Sequence, residues 1–226
     1  MNEIKIQGIV LKLSDYKDVD KLASIFSLQH GVITAKFTGV KRDKAKFKSI
    51  AQPFVFAEFT LTAKNGLKTV TSASVIDSFY NILTNYNKTI CGYIVLDVLK
   101  SILPIEKAEP DLFLLTVNAL KSIEIEREFI STIDYLLKFL TFSGVGLEFF
   151  DTDYVYLDTL SGNFTTKRTN DCIAIDKKVY LTLKNIAKNG LKVEEIADTT
   201  AKQILRLLHN IIYLKFNEDV KSFSFL

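Results

Sequence analysis

Six cations fall within residues 36–54, KFTGVKRDKAKFKSIAQPF: Lys36, Lys41, Arg42, Lys44, Lys46 and Lys48, against one acid, Asp43. Phe37 and Phe47 are set among them. Ammonium and guanidinium groups neutralise phosphates, and flat rings stack on unpaired bases. The combination therefore suits a single strand of nucleic acid. A solvated basic hairpin has the same composition, so the surroundings must decide. Alternation along residues 32–38 puts Phe37 on the side of Ile33 and Ala35, toward a core. Phe47 is left as the ring to test for stacking on a base.

Other chemistry is sparse. Acids cluster as Asp15, Asp18, Asp20 and as Asp151, Asp153, Asp158. Such groups can hold Mg²⁺ for phosphoryl transfer. Both sets lie in turn-like segments, where Asp is favoured for bonding the backbone. No phosphate-cradling GxxxxGK[ST] or GxGxxG and no GxSxG elbow occurs. His30 and His209 have no second His or Cys at ligand spacing. Cys91 and Cys172 belong to no CxxC, which excludes a zinc site built on cysteine pairs. None of these groups is read as a catalytic residue or as a metal or cofactor site.

The chain that must position the basic segment has 226 residues, 48% of them hydrophobic, with only 3 Pro and 9 Gly. It can bury a core, and it has no long linker. Residues 1–70 carry 12 Lys+Arg against 6 Asp+Glu, a balance of +6; the remainder carries 17 against 20, or −3. An anionic partner is therefore expected to meet the N-terminal third. No apolar run approaches the roughly 20 residues of a membrane span, and the N-terminus does not read as a leader. The isolated cysteines suit a reducing compartment. A soluble cytoplasmic protein is expected.

Period-two patterning gives strands over 3–13, 32–38, 54–62 and 67–76, with a strand or short helical turn over 22–28. Asn65-Gly66 is a hairpin signal. Five short strands without a helix indicate a small barrel. An OB-fold suits the strand count and the basic character, with an SH3-like barrel or a short sandwich as alternatives. From Asp77 the period is helical. Helices are expected over 89–103, stopped by Pro104; over 112–123, started by Pro110 and Asp111; and over 127–142, ended at Ser143-Gly144. Residues 147–180 read as an irregular or β insertion turning at Ser161-Gly162-Asn163. Helices resume over 180–188 and 199–216, the last capped by Thr199 or Thr200, before an apolar tail. The fold class is α+β: a small β-barrel (OB-fold) over 1–76, then a mainly α-helical domain over 77–226.

Several segments together resemble one family. They are Gly8-Ile9-Val10-Leu11, Asp15-Tyr16, Asp20-Lys21-Leu22, Phe26, Gly31, Lys36-Phe37-Thr38-Gly39-Val40-Lys41-Arg42 and Gln52-Pro53-Phe54. Further on come Tyr93-Ile94-Val95-Leu96, Pro110, Leu112-Phe113, residues 136–144, and Val220-Lys221-Ser222 with Phe225-Leu226. In order and spacing they are similar to the RecO family of bacterial recombination mediators, over nearly the whole chain. The resemblance implies an N-terminal OB-fold, a C-terminal helical domain and no covalent step. It implies binding of single- and double-stranded DNA, annealing of complementary strands, and joint action with RecR to load RecA onto DNA coated by single-strand binding protein (SSB). Many members carry four cysteines for zinc after the third helix; here 147–180 holds only Cys172, so a zinc-less insertion is expected, held by its own hydrogen bonds and by Tyr154, Tyr156 and Phe164. Thr38 and the poorly matched residues 77–90 also depart from the pattern.

The expected DNA-binding residues are Lys36, Lys41, Arg42, Lys44, Lys46, Lys48 and Phe47. The acidic, apolar SSB tail would need a basic-rimmed apolar groove, for which Lys121, Arg127 and Lys138 are candidates. The competing readings are a scaffold whose basic loop binds an acidic protein and, ranked lower, a Mg²⁺-dependent nuclease using Asp15, Asp18 and Asp20.

Overall fold

Alternating inward and outward side chains build five N-terminal strands: β1 Glu3–Tyr16, β2 Asp20–Ser27, β3 Gly31–Phe37, β4 Phe56–Lys64 and β5 Leu67–Asp77. The computed structural model describes residues 3–64, 66–103, 107–125, 127–152 and 154–226. The strands close in the order β1-β2-β3-β5-β4, with β4 returning to β1. Every ladder is antiparallel except β3–β5, which meets in parallel at Ala35↔Lys68 and Lys36↔Thr69. This is the OB arrangement expected from the strand count. Ile6, Val10, Ile25, Ile33, Phe37, Phe59, Leu61 and Val70 fill the interior.

The strands reach further into the polar stretch 14–21 than its composition suggests. Only 17–19 turn, with Lys17 at φ 54°, and the β1–β2 ladder continues to Tyr16↔Asp20. The hairpin expected at Asn65-Gly66 rests on a residue outside the described ones. Its flanks, Lys64↔Leu67, pair as a two-residue connection requires.

Alternation fails at Ile9-Val10-Leu11, where all three side chains are buried. A strand buried on both faces has a cover outside the barrel as well as a core within it. Ile9 pairs with Phe26 on one side and Phe56 on the other. The cover is Phe113, whose ring centroid lies 5.4 Å from that of Phe26 and 5.6 Å from that of Phe56. Phe113 sits on α2 (Pro110–Ile125). Residues Leu103–Val117 consequently join Met1–Asn81 in one compact unit, while Ile82–Ile102 and Asn118–Leu226 form the other. The sequence places all of α2 with the helices, because helical period says nothing about which surface a helix covers. The same segment explains Gly31, at φ +67°: a Cβ there would lie 2.0 Å from the Lys107 carbonyl oxygen.

The second unit contains α1 (Tyr86–Ile102), the end of α2, α3 (Glu128–Phe142), α4 (Lys177–Asn189) and α5 (Asp198–Phe216). The stop expected at Pro104 lies outside the described residues. α3 is buried around its circumference, including Ser131, Thr132 and Asp134. Those polar groups are satisfied locally. The Ser122 and Ser131 hydroxyls share a 2.6 Å hydrogen bond, Thr132 Oγ1 donates to Glu128 O (2.7 Å), and Asp134 accepts from Lys138 (2.7 Å). α3 ends at Ser143-Gly144 as expected, with Gly144 at φ +75°.

The insertion folds as a three-stranded sheet, β7-β6-β8, from β6 Tyr156–Asp158, β7 Phe164–Thr165 and β8 Cys172–Ala174. Phe164 packs with Phe149 and Tyr180 at ring separations of 5.5 and 5.4 Å. Tyr154, expected to help hold the insertion, is instead 77% exposed. α4 begins at Lys177 rather than near 180, because Asp176 caps it by accepting from the Val179 N–H (3.0 Å). α5 is not capped by Thr199 or Thr200; Ala197 is its N-cap residue, and Thr200 is buried inside the helix. In the tail, Phe223 is buried and stacks on His209 at 4.6 Å. Cys91 lies in the core, where burial pushes its thiol up to about 12. No helix among the described residues is long and apolar enough to cross a membrane.

Candidate nucleic-acid interface

Between β3 and β4 the chain makes a run of tight turns. Backbone N–H groups donate from Arg42 to Gly39 O (3.1 Å), Ala45 to Arg42 O (3.1 Å), Lys48 to Ala45 O (3.2 Å) and Ala51 to Phe47 O (2.8 Å). Val40, Phe47, Ile50 and Ala51 point into the barrel core and plug its end. Each is at most 8% exposed. Phe54 closes the segment in the left-handed region, φ 73°, a costly conformation for a non-glycine residue. It is held there by full burial and by its N–H bond to Val10 O (3.0 Å), with Val10 N–H returning to Val55 O (2.9 Å).

The apolar side of the segment is thus fixed, and its cations are left outside. Lys41, Arg42, Lys44, Lys46 and Lys48 are exposed, and Lys36 on β3 is half-buried. Phe37 is fully buried, edge-on to Phe47 (6.0 Å) and Phe59 (6.2 Å), as its alternation predicts. Phe47 corrects the expectation of a stacking ring. It is 8% exposed, and the Lys46 ammonium sits 5.1 Å from its centroid. The turns after Gly39 have no period from which its inward direction could be read. The aromatic that stays half-buried at this rim is Tyr16, with the Lys17 ammonium 5.5 Å from its centroid.

The three aspartates of the β1–β2 region separate into distinct roles. Asp20 is buried, and its Oδ1 accepts the Gly39 N–H at 2.7 Å. Lys41 N–H donates to Val19 O (3.0 Å), so the basic segment is tied twice to the β1–β2 connection. Asp15 Oδ2 pairs with Lys41 Nζ at 3.0 Å. Asp18 is exposed. A carboxylate committed to an N–H and another committed to an ammonium do not converge on an ion, and no metal-holding cluster exists among the described residues. In the second acidic set, Asp151 bonds Lys184, which holds its carboxyl below the usual range, and the Ser161 hydroxyl does the same for Asp158. Asp153 lies outside the described residues.

A cleft of about 490 Å³ opens at this rim, lined by Asp15, Lys21, Val40, Lys41, Lys48, Ala51 and Gln52. Sequence reasoning missed Lys21 and Gln52. Lys21 pairs with Phe37 across β2–β3 and with Asp15 across β1–β2, which places it at the barrel mouth. Its position next to Asp20 on a strand was the available signal, obscured by reading 14–21 as a turn.

Replacing Asp20 with alanine leaves the Gly39 N–H without its acceptor. The expected cost is about 1–3 kcal/mol in urea unfolding. Any nucleic-acid affinity of the segment should fall with it, because the turn carrying Lys41 and Arg42 loses an anchor. Asp20→Asn, which keeps an acceptor oxygen, should recover most of both.

The other candidate cations lie in the second unit. Arg127 donates both terminal nitrogens to the carbonyls of Leu191 and Val193, so its guanidinium serves the fold. Lys121 is exposed on α2. Lys138, paired with Asp134, edges a cleft of about 220 Å³ whose apolar lining includes Leu137, Leu147, Phe149 and Ala187.

Two family models match the chain: the N-terminal part of recombination protein O over residues 1–79, and its C-terminal part over residues 83–222. Among curated proteins, the DNA repair protein RecO of Caldicellulosiruptor saccharolyticus is 26% identical over 240 residues, covering 100% of this chain and 98% of the relative. That of Clostridium novyi is 23% identical over 234 residues, covering 96% and 91%. That of Oceanobacillus iheyensis is 32% identical over 109 residues, covering 48% and 42%.

Proposed function

The chain belongs to the RecO family, and from that membership we propose a DNA-binding recombination mediator that anneals complementary strands and helps load RecA onto SSB-coated DNA together with RecR. The observation that carries the reading is the plugged barrel mouth. Apolar residues of 40–54 anchor the segment while Lys41, Arg42, Lys44, Lys46 and Lys48 remain on its outer side. Annealing needs two things: phosphate repulsion between two strands must be screened, and the base edges must stay free. Fixed cations around the mouth, with Lys36 and Lys21 beside them, supply the first by displacing counterions. Buried Phe37 and Phe47 favour the second, because neither ring competes for bases.

For the SSB tail, the cleft edged by Lys138 offers an apolar floor beside a cation. Lys121 is a second cation free for an acidic partner, whereas Arg127 is committed to backbone carbonyls. The test of the whole reading mixes complementary SSB-coated oligonucleotides with the protein at low salt. Accelerated annealing is expected; an unchanged rate would sink the proposal. The scaffold alternative predicts that acidic peptides capture the protein in preference to oligonucleotides, and the same salt series with both ligands separates the two.

A further inference from the structure

An acid stands among the cations of the barrel-mouth cleft. Asp15 Oδ2 lies 3.0 Å from Lys41 Nζ and directly across the β1–β2 ladder from Lys21. Lys48 and Gln52 complete the polar lining. The two partners of the ion pair are unequally held. The Lys41 side chain is 28% exposed and its backbone N–H is bonded to Val19 O, whereas the Asp15 side chain is 71% exposed. The ammonium is the more enclosed partner of the pair and the carboxylate the more exposed one.

We propose that this cleft is a phosphate subsite and that Asp15 is its built-in competitor. The Asp15 carboxylate occupies the position on Lys41 that a nucleic-acid phosphate takes, and leaves when the phosphate arrives. The inference rests on the DNA-binding reading above. A carboxylate and a phosphodiester present the same thing to an ammonium, an anionic oxygen at hydrogen-bond distance, so one can replace the other without rearranging Lys41. An exposed ion pair of this kind shifts an equilibrium by about fivefold at most, small enough for a phosphate to displace it. The competitor keeps the strand exchangeable, which suits a protein that must let go of two strands once they have paired. The neighbouring acids do not share this task. Asp20 is turned to Gly39 N–H, and Asp18 stands exposed on the turn.

The experiment measures binding of the full chain to a fluorescent single-stranded oligonucleotide at about 0.1 M salt. Five proteins are compared: the wild type, Asp15→Asn, Asp18→Asn, Lys41→Met and the Asp15→Asn/Lys41→Met double variant. Asp15→Asn should bind about two- to fivefold tighter. Asp18→Asn removes the same charge from the adjacent turn and should gain less. In the Lys41→Met background, Asp15→Asn should gain no more than Asp18→Asn does in the wild type. Equal or weaker binding by Asp15→Asn overturns the competitor, since weaker binding means that Asp15 positions Lys41 for the phosphate. Equal gains from both Asp variants, or an undiminished gain without Lys41, overturn it too, because either reduces the effect to net charge. Failure of the wild type to bind at all sinks the DNA-binding reading itself, a result distinct from each of these.

Discussion

With Lys41, Arg42, Lys44 and Lys46 all replaced by alanine, affinity for single-stranded DNA is expected to drop roughly a hundred- to a thousandfold at about 0.1 M salt. The number follows from counterion release. Each phosphate neutralised on a single strand contributes about 0.7 to the slope of log affinity against log salt. The six cations of 36–48 give a slope of about −4, and the two of them that remain, Lys36 and Lys48, give about −1.4, with Lys21 adding equally to both. The slope therefore tests the claim better than any single dissociation constant. An affinity loss with an unchanged slope would mean damage elsewhere, and an unchanged affinity would clear the segment of the role. Folding should survive. The residues that hold the segment are Val40, Phe47, Ile50 and Ala51, none of which is altered. The losses to stability are the exposed Lys41–Asp15 pair and the Lys46 contact with Phe47. Each contributes about 1 kcal/mol or less.

The proposed DNA surface keeps Phe37 and Phe47 buried. With neither ring offered to a base, the proposed binding would lack their sequence-tolerant stacking of about 1–3 kcal/mol per base and would be carried by charge. Binding should therefore show little base preference. It should also be released readily as salt rises, which is compatible with handing a paired product on. Tyr16, half-buried at the rim, is the ring whose replacement would reveal any stacking contribution.

How much of this was legible in the sequence depends on the kind of segment. Where the chain has a period, it was readable. Ile4 and Ile6 against Lys5 and Gln7, Ile33, Ala35 and Phe37 on β3, and Phe59 with Leu61 on β4 announce strands and their inward faces, and the barrel follows from their number. Where the period lapses, direction is set by tertiary contacts. Phe47 lies in a run of turns, and only the packing of the barrel mouth turns it inward. Asp15, Asp18 and Asp20 are chemically equivalent in composition, yet one bonds a backbone N–H, one pairs with a lysine, and one faces water. The basic character of 36–54 was visible at once because charge is a property of composition. The cleft with Lys21 and Gln52 was not, because it depends on the register of β1 with β2 and on where the loop turns back.

The outer cover of the barrel is the least legible feature, and it carries the second large prediction. Phe113→Ala is expected to destabilise the first unit by about 3–5 kcal/mol, a large share of a stability that is usually about 5–15 kcal/mol. Phe113 is 1% exposed, and its ring meets Phe26 and Phe56 within 6 Å. Truncation removes both aromatic pairs and opens a cavity over Ile9, whose backbone partners on both sides are those same phenylalanines. Leu114, the next residue on the same helix, is 54% exposed, and Leu114→Ala should change stability by less than about 0.5 kcal/mol. Urea unfolding of the two variants beside the wild type decides the point. If Phe113→Ala costs under about 1 kcal/mol, Phe113 does not seal the outer face of the barrel, and the assignment of residues 103–117 to that unit loses its physical basis. If the cost is as expected, the continuous apolar run Ile9-Val10-Leu11 is explained: its alternate side chains face two cores, one inside the barrel and one beneath α2.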